Sequence, residues 1–157
     1  GSAAAADGGR GMNPAGQPGA ARADQEFFTA ALADALARGE SVWLRVQGCS
    51  MLPWLREGAR ICIRPAAGRG LRRGDIALFW RAPGRPILHR VVRVLPGGGC
   101  ECLGDAEEGR PEPVAAAAVI GVAALTACAR LVYLAVHPAR RAFNRWCRKR
   151  GLRLRHG

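Results

Sequence analysis

The feature that most constrains this chain is a series of short apolar runs between Ser41 and Leu103, with Gly or Pro in every gap. Val42-Trp43-Leu44-Arg45-Val46 is the first, and Ala59-Arg60-Ile61-Cys62-Ile63-Arg64 alternates apolar and polar side chains. Asp75 to Trp80 lies between Gly74 and Pro83, Ile87 to Leu95 follows, and Cys100 to Leu103 is a short fifth run. Period-two alternation puts successive side chains on opposite faces of a strand, and turn residues between such runs favour hairpins. The expected fold class is therefore mostly β, an antiparallel domain, with no internal repeat of 20 to 50 residues.

The flanks read differently. Residues 1–23 are rich in Ala, Gly and Pro, bury little, and are expected to be a flexible leader or tag. Asp24 is placed to cap a short helix in which Phe28, Ala31, Leu32, Ala35 and Leu36 recur at three and four residues, ending at Gly39. Val114 to Val136 is apolar apart from Arg130 and rich in Ala. A central Arg is costly in a bilayer, so one or two buried strands are expected there rather than a span. From His137, Pro138 suits the first turn of a helix, and Ala139, Phe143 and Trp146 form an apolar stripe amid arginines. The expected divisions are thus 1–23, a folded domain over 24–136, and a basic amphipathic tail over 137–157.

Hydrophobic residues make up 49% of the 157, enough for a core, which excludes wholesale disorder. Charge is lopsided: 24 Lys+Arg face 12 Asp+Glu, and no acid follows Glu112. Nine basic residues lie from Arg130 onward, an arm suited to an anionic membrane surface or an acidic peptide, with nucleic acid less favoured. Six cysteines show neither a CxxC pair nor a zinc-like His spacing, so no metal is expected. Cys49, Cys62 and Cys128 lie in apolar runs where a free thiol acts as a small hydrophobe, and Cys100 and Cys102 would share one strand face. A reduced, cytoplasmic chain, peripheral to the membrane if the tail binds lipid, is the simpler reading; the even count leaves disulfides open.

Chemistry concentrates in four blocks. Gln47-Gly48-Cys49-Ser50-Met51-Leu52-Pro53 comes first, then Arg73-Gly74-Asp75-Ile76, then Leu88-His89-Arg90-Val91, then Leu103-Gly104-Asp105. In this order and spacing the blocks, covering about Val42 to Val122, resemble the signal-peptidase and repressor-protease clan of serine peptidases. The resemblance implies Ser50 as nucleophile. It also implies a base in the third block, and that slot holds His89, as in the histidine-type signal peptidases. Lys149, the only lysine, lies outside every block, which argues against a Ser/Lys dyad. A neutral imidazole titrates near pH ~6.5 and can accept a serine proton at physiological pH. Asp105 is the resemblance's candidate to orient that imidazole, and Asp75 reads as a structural turn residue. The expected oxyanion donor is the backbone N–H of Ser50, with Gly48 offering only backbone on that side.

These readings predict a serine endopeptidase, signal peptidase-like, that cleaves an extended leader or signal segment of a peptide or protein precursor without any cofactor. No membrane anchor is evident before Ser50, which fits a leader-trimming relative better than a secretory enzyme. Two alternatives compete: a self-cleaving repressor-type regulator, for which Ala15-Gly16 is the candidate cut, and a non-enzymatic lipid or nucleic-acid binder using the basic tail.

Overall fold

The computed structural model describes residues 18–81, 85–125 and 127–149. Helix α1, Pro18–Ala37, is followed by β1, Val42–Arg45, and β2, Arg60–Pro65. Next come β3, Ile76–Arg81, β4, Arg85–Val94, and β5, Cys100–Leu103. Strand β6, Glu112–Val114, strand β7, Val119–Ala123, and helix α2, Ala127–Lys149, complete the order. The seven strands form one antiparallel sheet in the order β1-β2-β7-β3-β4-β5-β6. The mostly β class with a helix at each end is thus as the sequence predicts, and all five predicted strands are present within two residues at either end.

Alternation along β3 creates two apolar layers. Ile76 and Leu78 face a cluster with Leu32 and Leu36 of α1, Val46, Met51, Ile61, Ile63 and Ala123. Ala77 and Phe79 face the other side with Val91, Cys100, Cys102 and Val114. Strand β7 fits between β2 and β3 because residue 121 is glycine. A Cβ there would collide with Ile63 Cγ2 and lie 3.0 Å from the Arg64 carbonyl oxygen.

Helix α1 ends as its sequence signals. Gly39, at φ +86°, closes it with Glu40 N–H donating to the Ala35 carbonyl and Gly39 N–H to that of Leu36. Its start at Pro18 lies six residues before the expected Asp24 cap. Residues 1–17, including Ala15-Gly16, fall outside the described residues.

The segment from Val114 departs most from expectation. Its first half gives the end of β6 and all of β7, but strand structure stops at Ala123 and α2 begins at Ala127. Pro138 sits inside this 23-residue helix and not at the start of a separate one. An interior proline removes one backbone hydrogen bond and crowds the carbonyl one turn before it, yet the tail continues a helix already begun. Among the described residues, no helix is long and apolar enough to cross a membrane. The Phe143 and Trp146 side chains of the expected stripe lie outside the described residues, as do the side chains of Cys128 and Cys147. Cys49 is exposed and Cys62 half-buried, contrary to the expectation of packed thiols, whereas Cys100 and Cys102 are buried side by side with sulfurs 3.5 Å apart.

Helix α2 docks through Tyr133, which is buried. Its ring meets Trp54 edge-on at 5.9 Å, stacks on His137 at 4.6 Å and lies 3.9 Å under the Arg90 guanidinium. The turn at Gly74 makes room for this, since a Cβ there would lie 3.0 Å from Arg130 Cγ and 3.3 Å from Leu134. Burial, with Asp105 adding to it, pushes the Tyr133 phenol up to about 12. In the unfolded chain a tyrosine ionises near pH ~10, so between these values the unfolded state loses its proton first. Stability should therefore fall as pH rises through that window, and denaturation curves of Tyr133→Phe should show a shallower alkaline decline than wild type.

Candidate active site

The loop carrying Ser50 is closed at its base by Val46 N–H donating to the Ala59 carbonyl and Gly58 N–H to that of Val46, both 2.8 Å. Met51, 2% exposed, sinks into the α1-side core and fixes the loop from beneath. Ser50 itself is half-buried, and its carbonyl accepts the Ala106 N–H at 2.8 Å. Gly48 adopts φ +77°, where a side chain would be strained, and its N–H donates to Glu57 Oε1 at 3.4 Å.

The turn after β5 approaches Ser50 closely. A Cβ on Gly104 would lie 2.7 Å from the Ser50 carbonyl oxygen and 2.9 Å from Glu107 Cδ, so only glycine fits the second residue of that block. Glu107 folds back, its Oε2 accepting the Gly104 N–H at 3.2 Å, while its Oε1 stands 3.7 Å from His89 Nε2. Ser50 and His89 thus both abut the turn 104–107: Ser50 through its main chain, His89 through Glu107.

His89 lies in β4 opposite Ala77, 3% exposed, with the Phe79 ring edge-on at 6.2 Å. As expected, it shares the face of Ile87 and Val91. Its Nδ1 is buried without a hydrogen bond, yet Glu112 Oε1 stands 3.3 Å away, within ion-pair reach. The ladder delivers that carboxylate: Val91 pairs with Cys102 and Cys102 with Glu112, so all three lie on the His89 face. Glu112 also binds Arg81 of β3, Arg81 Nε donating to Oε2 at 3.0 Å and Nη2 to Oε1, across two intervening strands. That reach requires the sheet to coil around this face. The same hydrogen bond holds the Arg81 guanidinium above its ordinary pKa.

Asp105 is placed otherwise than as the imidazole's partner. It forms a buried two-pronged pair with Arg90: Nη2 to Oδ2 at 2.6 Å and Nε to Oδ1 at 3.2 Å. Arg90 Nη1 donates to the Gly74 carbonyl at 2.9 Å. The reason is alternation: Arg90 follows His89 in one strand, so its side chain leaves by the opposite face, and Asp105 is on that side. Asp75 is the turn residue expected, its Oδ2 accepting the Arg72 N–H at 2.9 Å. Sequence reasoning passed over Glu112, seven positions beyond Asp105. The signal that could have found it is its place as the last acid before an apolar run, at the start of an edge strand. Among the described residues, no group of His, Cys, Asp and Glu is arranged to hold a metal ion.

This arrangement makes a separable expectation for Asp105→Asn. The substitution leaves a buried guanidinium without its counter-charge and should destabilise by about 3–5 kcal/mol. Replacing both partners, Arg90→Met with Asp105→Leu, should cost less than Asp105→Asn alone, read by a double-mutant cycle in chemical denaturation. An Asp105→Asn protein of wild-type stability that has lost turnover would instead place this carboxylate in the chemistry.

No curated protein matches the chain. The family model described as Peptidase S24-like matches residues 11–124, and that span holds the Ser50 loop, His89, the turn 104–107 and Glu112. The chain therefore belongs to the Peptidase S24-like family.

Proposed function

We propose that the protein is a serine endopeptidase that cleaves an extended leader or signal segment of a precursor peptide. Ser50 is the nucleophile, His89 its general base, and Glu112 the carboxylate that orients and charge-stabilises the imidazole. The observation that carries this reading is a buried histidine flanked by carboxylates on both ring nitrogens, beside the turn that also grips the Ser50 carbonyl. Family membership supports the serine-peptidase class.

In the reaction, Ser50 Oγ attacks the scissile carbonyl while His89 takes its proton. Positive charge then develops on an imidazole whose Nδ1 already faces Glu112 Oε1 at 3.3 Å. Negative charge develops on the substrate oxygen, met by the Ser50 N–H. His89 returns the proton to the leaving amine, an acyl-enzyme remains, and water activated by the same imidazole releases it. Arg81 holds Glu112 by both carboxylate oxygens, Nε on Oε2 and Nη2 on Oε1, which fixes the carboxylate beside Nδ1.

A self-cleaving regulator has one observation in its favour: the family match reaches back to residue 11 and so includes Ala15-Gly16. The two readings part on whether the protein's own mass stays intact while added peptide is cut.

A serine-directed phosphonate probe should label Ser50, mapped by peptide mass, and Ser50→Ala should abolish both labelling and cleavage with the fold retained. His89→Ala should lose on the order of 10²–10⁴ in rate. Glu112→Gln keeps the shape but removes the charge facing Nδ1, and a loss on the order of 10²–10⁴ is expected. Lys149→Ala should leave turnover unchanged. Full activity in Ser50→Ala would remove the assignment.

A further inference from the structure

Helix α2 has a second face that nothing among the described residues covers. Arg130, Tyr133, Leu134 and His137 occupy its docked side. On the far side Leu131, Val132 and Val136 are 58%, 49% and 46% exposed, and Ala135 and Ala139 are exposed between and beyond them. These five positions, at i, i+1, i+4, i+5 and i+8, form one continuous apolar stripe about 140° wide on the helical repeat. Three large aliphatic side chains held out of the core on a helix that already has a docked face are unfavourable in water unless something covers them.

The charge pattern says what covers them. No acid follows Glu112, and nine basic residues lie from Arg130 to the end, so the stripe runs into a region of one sign. An apolar stripe without hydrogen-bonding groups, continued by positive charge alone, complements a surface that is apolar beneath and anionic on top. We propose that α2 lies on an anionic lipid bilayer with Leu131, Val132 and Val136 inserted at the headgroup boundary.

The same helix is bolted to the candidate site. Trp54, four residues after Ser50, packs on Tyr133, and Arg90, next to His89, lies over the same ring. A bilayer under α2 therefore holds the Ser50 loop at a set height above the lipid. Resting on the peptidase reading, this narrows the substrate to a precursor segment presented at an anionic membrane surface.

The binding claim is tested on the Ser50→Ala protein, so that loss of activity cannot be confused with loss of binding. It should co-sediment with vesicles of phosphatidylcholine containing a third phosphatidylglycerol and not with phosphatidylcholine alone, and added salt should release it. The triple change Leu131→Gln, Val132→Gln and Val136→Gln keeps the helix and adds no charge. It should weaken vesicle binding on the order of tenfold or more with an unchanged melting temperature. Each single Gln variant gives a second reading should the triple variant unfold, with a partial loss expected. Overturning results are absence of binding to the anionic vesicles, or folded Gln variants that bind as wild type does. A concentration-dependent dimer in sedimentation equilibrium that the Gln changes dissolve would assign the face to a second copy and equally overturn the proposal.

Discussion

Arg90 is a full positive charge, 2% exposed, in the middle of a sheet, and burying it is costly unless its donors are met. Asp105 meets two of them, the Gly74 carbonyl a third, and the Tyr133 ring covers the guanidinium plane. Those partners lie on three pieces of chain, the turn after β5, the turn before β3, and α2, which Arg90 joins to its own β4. Backbone bonds reinforce the junction, with Gly74 N–H donating to the Val91 carbonyl and Val91 N–H to that of Asp75, both 2.8 Å. Because one side chain joins its own strand to these three pieces, none of them can move away without uncovering a buried charge.

The junction also sets the register that the proposed chemistry needs. His89 and Arg90 are adjacent, and a strand sends adjacent side chains to opposite faces. Locking Arg90 toward Asp105 and Tyr133 therefore commits His89 to the other face, where Phe79, Glu107 and Glu112 wait. A slip of one residue in β4 would exchange the two, burying an imidazole under Tyr133 and aiming the guanidinium at the carboxylates. The His-Arg pair of the third block is thus one structural and one chemical instruction written side by side.

This explains what was legible in the sequence and what was not. Strands β1 to β5 carry their own alternation and turn residues, so local pattern suffices. The Ser50 loop and the third block declare themselves by residue type and order. Asp105 misleads because a Gly-Asp block is readable, whereas the face its carboxylate takes depends on pairing between β4 and β5, which no local pattern states. Glu112 is hidden for the converse reason: three-residue β6 with Pro113 at its centre has no strand signature, and it joins the site only through the ladder from Val91 to Cys102 to Glu112. The end of β7 was blurred by a run of Ala and Val that fits strand and helix alike. The helix that follows is held by contacts no local pattern states, Tyr133 on Arg90 and Trp54 and Arg130 with Leu134 against the Gly74 turn.

The loop of Ser50 is held from three directions. Met51 fills the core below it, the Ala106 N–H fixes the Ser50 carbonyl from the side, and Trp54 leans on α2. For the proposed nucleophile, whose proton would pass to a neighbouring base, such restraint matters because misplacement of about 1 Å can cost about 10²-fold in rate. The same restraint has a consequence at the front of the loop. Gly48, the one residue there at positive φ, is tied only by a long 3.4 Å bond to an exposed Glu57. In the proposed reaction, backbone adjustment to a bound peptide is therefore expected on the Gly48 side of Ser50. The Met51 side stays fixed by the core, and with it the geometry between the hydroxyl-bearing residue and the turn beside His89.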